Sequence, residues 1–153
     1  MGLIENRLNE LGIILPTPPK AAANYIPFKI SDKFIFVAGQ IPIKSGSLIT
    51  GKVGDTITIE KAKEAARICG VSIISQLKEA AQDNLDKINS IIKISGFVNC
   101  TNDFTEHPEV INGASEIMVD VFGEVGRHAR FAVGSNSLPK GVCVEIDAIA
   151  QLK

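Results

Sequence analysis

The sequence of 153 residues offers little from which a nucleic-acid-binding surface could be built. It contains no Trp, its aromatic fraction is 5%, and 16 Lys and Arg residues are balanced by 17 Asp and Glu residues, so that the formal net charge is -1. Binding to nucleic acid depends on cations that neutralise many phosphates and on rings that stack with bases. Nucleic acid is therefore an unfavoured partner.

Cysteine and long apolar segments are also scarce. The three cysteines, Cys69, Cys100 and Cys143, are odd in number, widely spaced and without a Cys-x-x-Cys pair, which favours buried reduced thiols over disulfides or a zinc ribbon. No apolar run approaches the roughly 18 residues that a membrane helix needs, and the first residues lack the apolar core of a signal peptide. We therefore expect a cytoplasmic protein without a membrane partner.

Motifs for metals and nucleotide cofactors are missing as well. The glycines at 51–54 lack Walker spacing, there is no G-x-G-x-x-G segment, and His107 and His128 lie far apart without matching ligand positions. We expect neither a metal nor an organic cofactor. A histidine acid and base pair remains an alternative interpretation of His107 and His128.

The apolar patterns that are present alternate between helical and strand periods and predict one α+β domain over residues 1–153. A short helix at 3–11 and an extended connector at 16–19 form an N-terminal segment of about 20 residues. The next segments are predicted to be a hairpin at 24–39 and a loop at 44–54. After them we expect a helix of about 20 residues capped by Thr58, a strand at 88–98 and a helix from Pro108. This order predicts two helices on one face of a mixed sheet.

Two charged residues stand out in the C-terminal stretch 126–152, in which apolar runs at 131–133 and 142–150 predict two strands. Arg130 lies at the start of the first, where its guanidinium is a fixed donor for a carboxylate or phosphate and not a base. Glu145 lies inside the second, on a partly apolar face with Cys143, Asp147 and Ile149, where a perturbed carboxyl could handle a water molecule. Both residues also fit ordinary surface positions on a sheet.

Four segments of the sequence resemble signature segments of the Rid family, the reactive intermediate deaminases also called YjgF or L-PSP proteins. They are Val-Ala-Gly-Gln-Ile-Pro at 37–42, Ala-Arg-Phe-Ala-Val at 129–133, Leu-Pro at 138–139 and Val-Glu-Ile-Asp-Ala-Ile-Ala at 144–150. The order of elements also agrees from about Tyr25 onward. The resemblance implies a chorismate-mutase-like α+β fold and a homotrimer that binds a small carboxylate or imine in clefts between subunits.

The resemblance also implies an enzyme that needs no cofactor and hydrolyses 2-aminoacrylate-type enamines and imines to 2-oxo acids and ammonia. By position, Arg130 would clamp the substrate carboxylate and Glu145 would position the attacking water. The resemblance assigns four further residues to substrate binding: Tyr25, Gly39, Asn112 and Phe131.

This sequence departs from the family pattern around those positions. Ala38 stands where many members have Ser, His128 replaces a usual Pro, and Phe131 and Ala132 follow Arg130 where small residues and often Cys occur. These changes predict a pocket that differs from those of its relatives, so the resemblance does not identify the substrate. Two alternative functions are a non-catalytic trimer that binds small carboxylates and an endoribonuclease or translation inhibitor, the latter disfavoured by the weak basic character.

Overall fold

The computed structural model describes residues 2–18, 20 and 23–153, and its elements follow the predicted order. No helix in these ranges is long and apolar enough to cross a membrane. The helices are α1 (Leu3–Glu10), α2 (Ile59–Ala80) and α3 (His107–Phe122). The strands are β1 (Phe28–Ser31), β2 (Phe34–Gln40), β3 (Ile43–Lys44), β4 (Ser47–Leu48), β5 (Ile88–Asn99), β6 (Ala129–Ser135) and β7 (Val144–Leu152).

Five strands form one mixed sheet in the order β1-β2-β7-β5-β6, and β3 and β4 form a separate small hairpin. All neighbouring strands of the large sheet are antiparallel except β5 and β6, which are parallel. The strand that carries Glu145 therefore lies at the centre of the sheet, and the strand that carries Arg130 lies at its edge. The predicted α+β class with a mixed sheet is confirmed.

The helices α2 and α3 pack together and cover one face of the sheet, as predicted. The Oγ1 atom of Thr58 accepts a hydrogen bond from the Lys61 amide at 3.3 Å, which confirms Thr58 as the N-cap of α2. The two helices approach closely because α3 presents Gly113, where a Cβ atom would overlap the Lys63 carbonyl oxygen. The core lies between these helices and four fully buried positions of β7, namely Val144, Ile146, Ala148 and Ala150.

Polar contacts at its first turn hold α1 against the rest of the domain. The carboxylate of Asp86 accepts hydrogen bonds from the Leu3 and Ile4 amides at 2.8 and 2.9 Å. These bonds lower the pKa of Asp86, so the cap is charged at neutral pH. The chain then runs through residues 13–18 without helix or strand, as the connector prediction expects, and Pro19 of that prediction lies outside the described residues.

Three details of the predicted elements are wrong. The first strand begins at Phe28 and not at residue 24, since Pro27 has no N–H to donate to a ladder. The predicted loop at 44–54 contains part of the β3–β4 hairpin, because Ser45 and Gly46 both adopt positive φ angles, as a two-residue hairpin turn requires. Cys143 precedes β7 and is fully buried, so it does not share the half-exposed face of Glu145.

Candidate functional site

Arg130 lies near the start of β6 and is fixed by two side chains of α3. Its Nη1 donates to Asn112 Oδ1 at 2.8 Å and to Ser115 Oγ at 3.2 Å. Asn112 and Ser115 are three positions apart, which places them on one helical face. Nε and Nη2 of Arg130 have no partner among the described residues. The half-buried guanidinium therefore keeps donors for an incoming carboxylate.

His128 supports Arg130 through Ser115. Its Nδ1 lies 2.7 Å from the Gly126 carbonyl oxygen, which can only accept, so the proton is on Nδ1 and Nε2 accepts from the Ser115 hydroxyl at 2.9 Å. Burial lowers the pKa of His128, and the Arg130 guanidinium lowers it further, although the bond to Gly126 acts in the opposite direction. The imidazole is therefore neutral at pH 7 and orients the Ser115 hydroxyl.

Glu145 lies on β7 beside the β-bulge of β2. Burial, with a smaller contribution from Asp147, raises the pKa of the Glu145 carboxyl. The register of β2 against β7 shifts between Val37 and Gln40, and a Cβ atom at Gly39 would overlap Glu145 Oε1. Glycine at position 39 is thus what allows the carboxyl to lie against the bulge.

A cavity of about 1020 Å³ connects the predicted Tyr25, Gly39 and Glu145 positions. Its other walls come from the connector, α2 and residues around Lys140. Tyr25 is 60% exposed and stands at the mouth of this space. Three of the six predicted site residues therefore line one cavity.

Arg130 and Asn112 do not line that cavity, and Arg130 lies on the opposite face of the sheet from Glu145. In the ladders of β5, Arg130 is opposite Ile94 and Glu145 is opposite Phe97. Ile94 and Phe97 are three positions apart on a strand in regular register, so they point to opposite faces. One chain therefore presents two separated groups, Arg130 with Asn112 and Glu145 with Tyr25 and Gly39, which we call the arginine half-site and the glutamate half-site.

Phe131, the sixth predicted residue, belongs to neither half-site within one chain. Its ring packs edge to face on Phe97 at 5.5 Å, and Lys93 Nζ lies 5.1 Å from the ring centroid. These residues lie on the sheet face that α2 and α3 leave uncovered, which we call the open face. Its apolar side chains are Phe34, Phe36, Phe97, Phe131, Val133 and Ile149.

The two histidines have separate local partners. His107 Nε2 lies 3.4 Å from Cys100 Sγ, whereas His128 contacts Ser115 and Gly126. Within the described ranges, no group of three His, Cys, Asp or Glu side chains is placed to hold a metal ion.

Sequence reasoning missed Ser115, His128 and the contribution of α2 to the cavity. The sequence contained a signal for Ser115, since Ser115 is one helical turn from Asn112 and therefore on the same face of α3. The sequence contained no signal for the role of His128, because a His at the position of a usual Pro does not indicate what its side chain contacts.

Comparison with known proteins matches residues 5–152 to the family described as "YjgF/chorismate_mutase-like, putative endoribonuclease". Protein TCP17 of Trypanosoma cruzi is 41% identical over 99% of this chain and 95% of its own length. A crystal structure of Atu1372 from Agrobacterium tumefaciens, a protein of unknown function, is 47% identical, covers 98% of this chain and 92% of its own and superposes with a TM-score of 0.91. YyfA of Yersinia pestis, named as a Rid protein, is 25% identical, covers 89% of this chain and 94% of its own and superposes with a TM-score of 0.63.

The fold and the half-sites thus define a small α+β protein with an arginine fixed by two side chains of α3 and a partly buried glutamate. The chain belongs to the YjgF family, also called the Rid family, as the signature segments predicted.

Proposed function

We propose that this protein hydrolyses reactive enamines and imines of the 2-aminoacrylate type to 2-oxo acids and ammonia, without a cofactor. The observation that carries the proposal is the Arg130 guanidinium, held by Asn112 and Ser115 with donors to spare. A planar donor fork of this kind matches a carboxylate, the one group that all substrates of this class share.

Glu145 supplies the acid and base chemistry of the proposal. Protonation of the enamine at its methylene carbon gives the protonated imine, and a water held by the Glu145 carboxylate adds to the imine carbon and gives one proton to the carboxylate. Glu145 returns that proton to the nitrogen of the carbinolamine. The carbon–nitrogen bond then breaks as the hydroxyl oxygen forms the carbonyl, the hydroxyl proton passes to the Glu145 carboxylate and on to the departing ammonia, and the 2-oxo acid is the second product. The raised pKa of Glu145 supports this role, since a carboxyl titrating closer to neutral pH can both accept and return a proton.

We further propose that a complete site forms between two copies of the chain in a homotrimer. The support is that the arginine half-site and the glutamate half-site lie on opposite sheet faces, so a neighbouring subunit can bring one against the other. The open face is also apolar for a monomer surface, with Phe36 45% and Phe97 36% exposed. Contiguous exposed apolar side chains commonly mark an interface between protein chains.

The test is the release of ammonia from 2-aminoacrylate generated by a serine dehydratase. The wild-type protein should accelerate the release, and Arg130→Ala and Glu145→Gln should each reduce kcat/KM at least about 100-fold, since each removes a group that acts on the reacting molecule. Arg127→Ala is the matched control, because Arg127 is an exposed neighbour that pairs only with Glu124 in the described structure, and it should keep full activity.

Full activity in Arg130→Ala would overturn the proposed clamp. Binding of small carboxylates by calorimetry, together with no acceleration on a panel of imines, would instead favour the non-catalytic alternative. RNA cleavage that survives further purification and is lost in Glu145→Gln would favour the endoribonuclease named in the family description.

A further inference from the structure

The cavity of the glutamate half-site is much larger than a three-carbon substrate needs. Its volume of about 1020 Å³ is at the upper end of the range for drug-sized ligands. Ile14 of the N-terminal segment and Ile68 and Val71 of α2 contribute apolar walls. The cavity can therefore hold a chain of methylene groups that extends beyond the reacting carbon at Glu145.

The charged side chains in the cavity wall carry an excess of positive charge. They comprise two carboxylates and four cations, namely Glu64, Glu145, Lys20, Lys44, Arg67 and Lys140. Glu64 is paired with Lys44 at 2.6 Å, so these two charges offset each other. Lys20 and Lys140 are exposed, and neither side chain has a hydrogen-bond or ion-pair partner among the described residues. These two ammonium groups therefore remain available to an anion in the cavity.

Lys140 lies close to Glu145 along the chain. It is the middle residue of the turn 139–141, five positions before Glu145. Five residues span at most about 18 Å when fully extended, and the turn shortens this distance. The turn is fixed to the segment after the β3–β4 hairpin, because the Gly141 carbonyl oxygen accepts a hydrogen bond from the Gly51 amide at 3.0 Å. The flexible side chain of Lys140 can therefore meet an anionic group on a short chain whose other end is at Glu145.

Lys20 and Arg67 add positive charge to the walls formed by the N-terminal segment and α2. The Ser75 hydroxyl donates to the Pro16 carbonyl oxygen at 2.6 Å and so holds the segment that carries Lys20 against α2. Arg67 of α2 has only a long contact, at 3.4 Å, with Asp120, and both of these side chains are partly exposed. Cations from three separate segments of the chain therefore line one cavity.

We propose that the cavity is a side-chain subsite for a second anionic group, so that the substrate is a 2-imino or 2-enamino acid whose side chain ends in a carboxylate. The distal carboxylate pairs with Lys140 and Lys20, and the apolar walls contact the methylene groups between it and the reacting carbon. The positive charge of the cavity favours such a dianion over a substrate with a neutral side chain of the same length. The inference rests on the proposed function for the positions of the other two groups, the first carboxylate at Arg130 and the reacting carbon at Glu145.

The experiment measures by calorimetry how tightly the protein binds two stable probes of equal length, glutarate and glutaramate, in which a neutral carboxamide replaces one carboxylate. Wild-type protein should bind glutarate at least about fivefold more tightly. Lys140→Asn should lower this affinity ratio at least about threefold, and asparagine tolerates the positive φ angle of 56° at this position, so the turn is retained. Lys33→Asn is the matched control, since Lys33 is exposed in the turn at the opposite end of β2 from Gly39, and it should leave the ratio unchanged.

Equal binding of the two probes by the wild type would overturn the subsite, as would a ratio in Lys140→Asn equal to that of the wild type. Neither readout requires turnover, so the subsite and the proposed function can fail separately. Ammonia release from 2-aminoacrylate without a preference for glutarate would leave the function standing and the subsite overturned. A glutarate preference that is lost in Lys140→Asn, in a protein that accelerates no imine hydrolysis, would leave the anion subsite standing and overturn the function.

Discussion

At the scale of single residues, the position of Arg130 matters as much as its charge. A free arginine side chain has many rotamers, and fixing one of them lowers the entropy lost when a carboxylate binds. Asn112 and Ser115 provide this fixation, and His128 in turn fixes the hydroxyl of Ser115. We therefore regard His128 as a positioning residue for the proposed clamp.

Protonation of His128 should weaken the clamp. A protonated Nε2 would compete with Arg130 for the Ser115 oxygen and place a second positive charge beside the guanidinium. As the pH falls through the pKa of folded His128, which lies below the ordinary histidine value of 6.5, the wild-type KM for 2-aminoacrylate should therefore rise several-fold while kcat changes less. His128→Gln, which cannot titrate, should show a flat KM over the same range.

The free energy of unfolding should also decrease when His128 becomes protonated. The folded-state pKa of His128 is lowered, so the unfolded chain takes up this proton at a higher pH than the folded one. The contribution of His128 to stability is complete above pH 6.5 and declines as the pH falls below it. The measurement is the free energy of unfolding as a function of pH, which should lose part of its pH dependence in His128→Gln. His107→Gln is the matched control, since His107 contacts Cys100 and not the clamp. An equal change in the two variants would contradict the assignment of this pH dependence to His128.

At the scale of elements, the connector that follows α1 adds a wall to the cavity. The helix has only eight residues, too few to be stable alone, so its docking depends on Asp86, Glu5 and the buried Leu8. The connector follows directly, and its position over α2 therefore depends on this docking.

Removing the cap on α1 should loosen this segment without unfolding the domain. Asp86→Ala deletes the acceptor of the Leu3 and Ile4 amides and should increase proteolytic cleavage within residues 2–20 several-fold. The thermal midpoint of the main transition should fall by less than about 4 °C. Glu79→Ala, at an exposed position of α2, is the control, and equal cleavage of the two variants would show that Asp86 does not hold α1.

The sequence predicted the elements with strong periodicity better than the contacts between them. The buried alternation of β7 and the apolar faces of α2 and α3 follow from local patterns, and both helices were predicted close to their observed bounds. The β3–β4 hairpin was missed because the positive φ angles of its turn have a weak signature in Ser-Gly.

The site was predictable only in part, for a physical reason. The signature segments identify Arg130 and Glu145, but the face on which each side chain lies depends on the register of β5 with β6 and β7. The alternation of β7 indicates that Glu145 lies on the face opposite its buried side chains, but the short strand β6 has no such alternation, so no local pattern indicates the face of Arg130. The separation of the half-sites therefore became visible only in the structure.

At the scale of the whole molecule, the arginine half-site, the glutamate half-site and the open face have one common explanation. A cyclic trimer would bury the aromatic side chains of the open face and bring Arg130 of one subunit to Glu145 of the next. The proposed chemistry then depends on assembly, and a single chain would lack activity even when correctly folded.

The most direct test of this account is the deaminase activity of mixed oligomers made from Arg130→Ala and Glu145→Gln chains. Each variant alone should be inactive, because every site lacks one group. In a cyclic trimer of randomly mixed chains at equal amounts, about one quarter of the sites combine an intact Arg130 with an intact Glu145, so about one quarter of wild-type activity should return. Mixed oligomers that are verified by native mass spectrometry and remain as inactive as the parent variants would contradict a site shared between subunits.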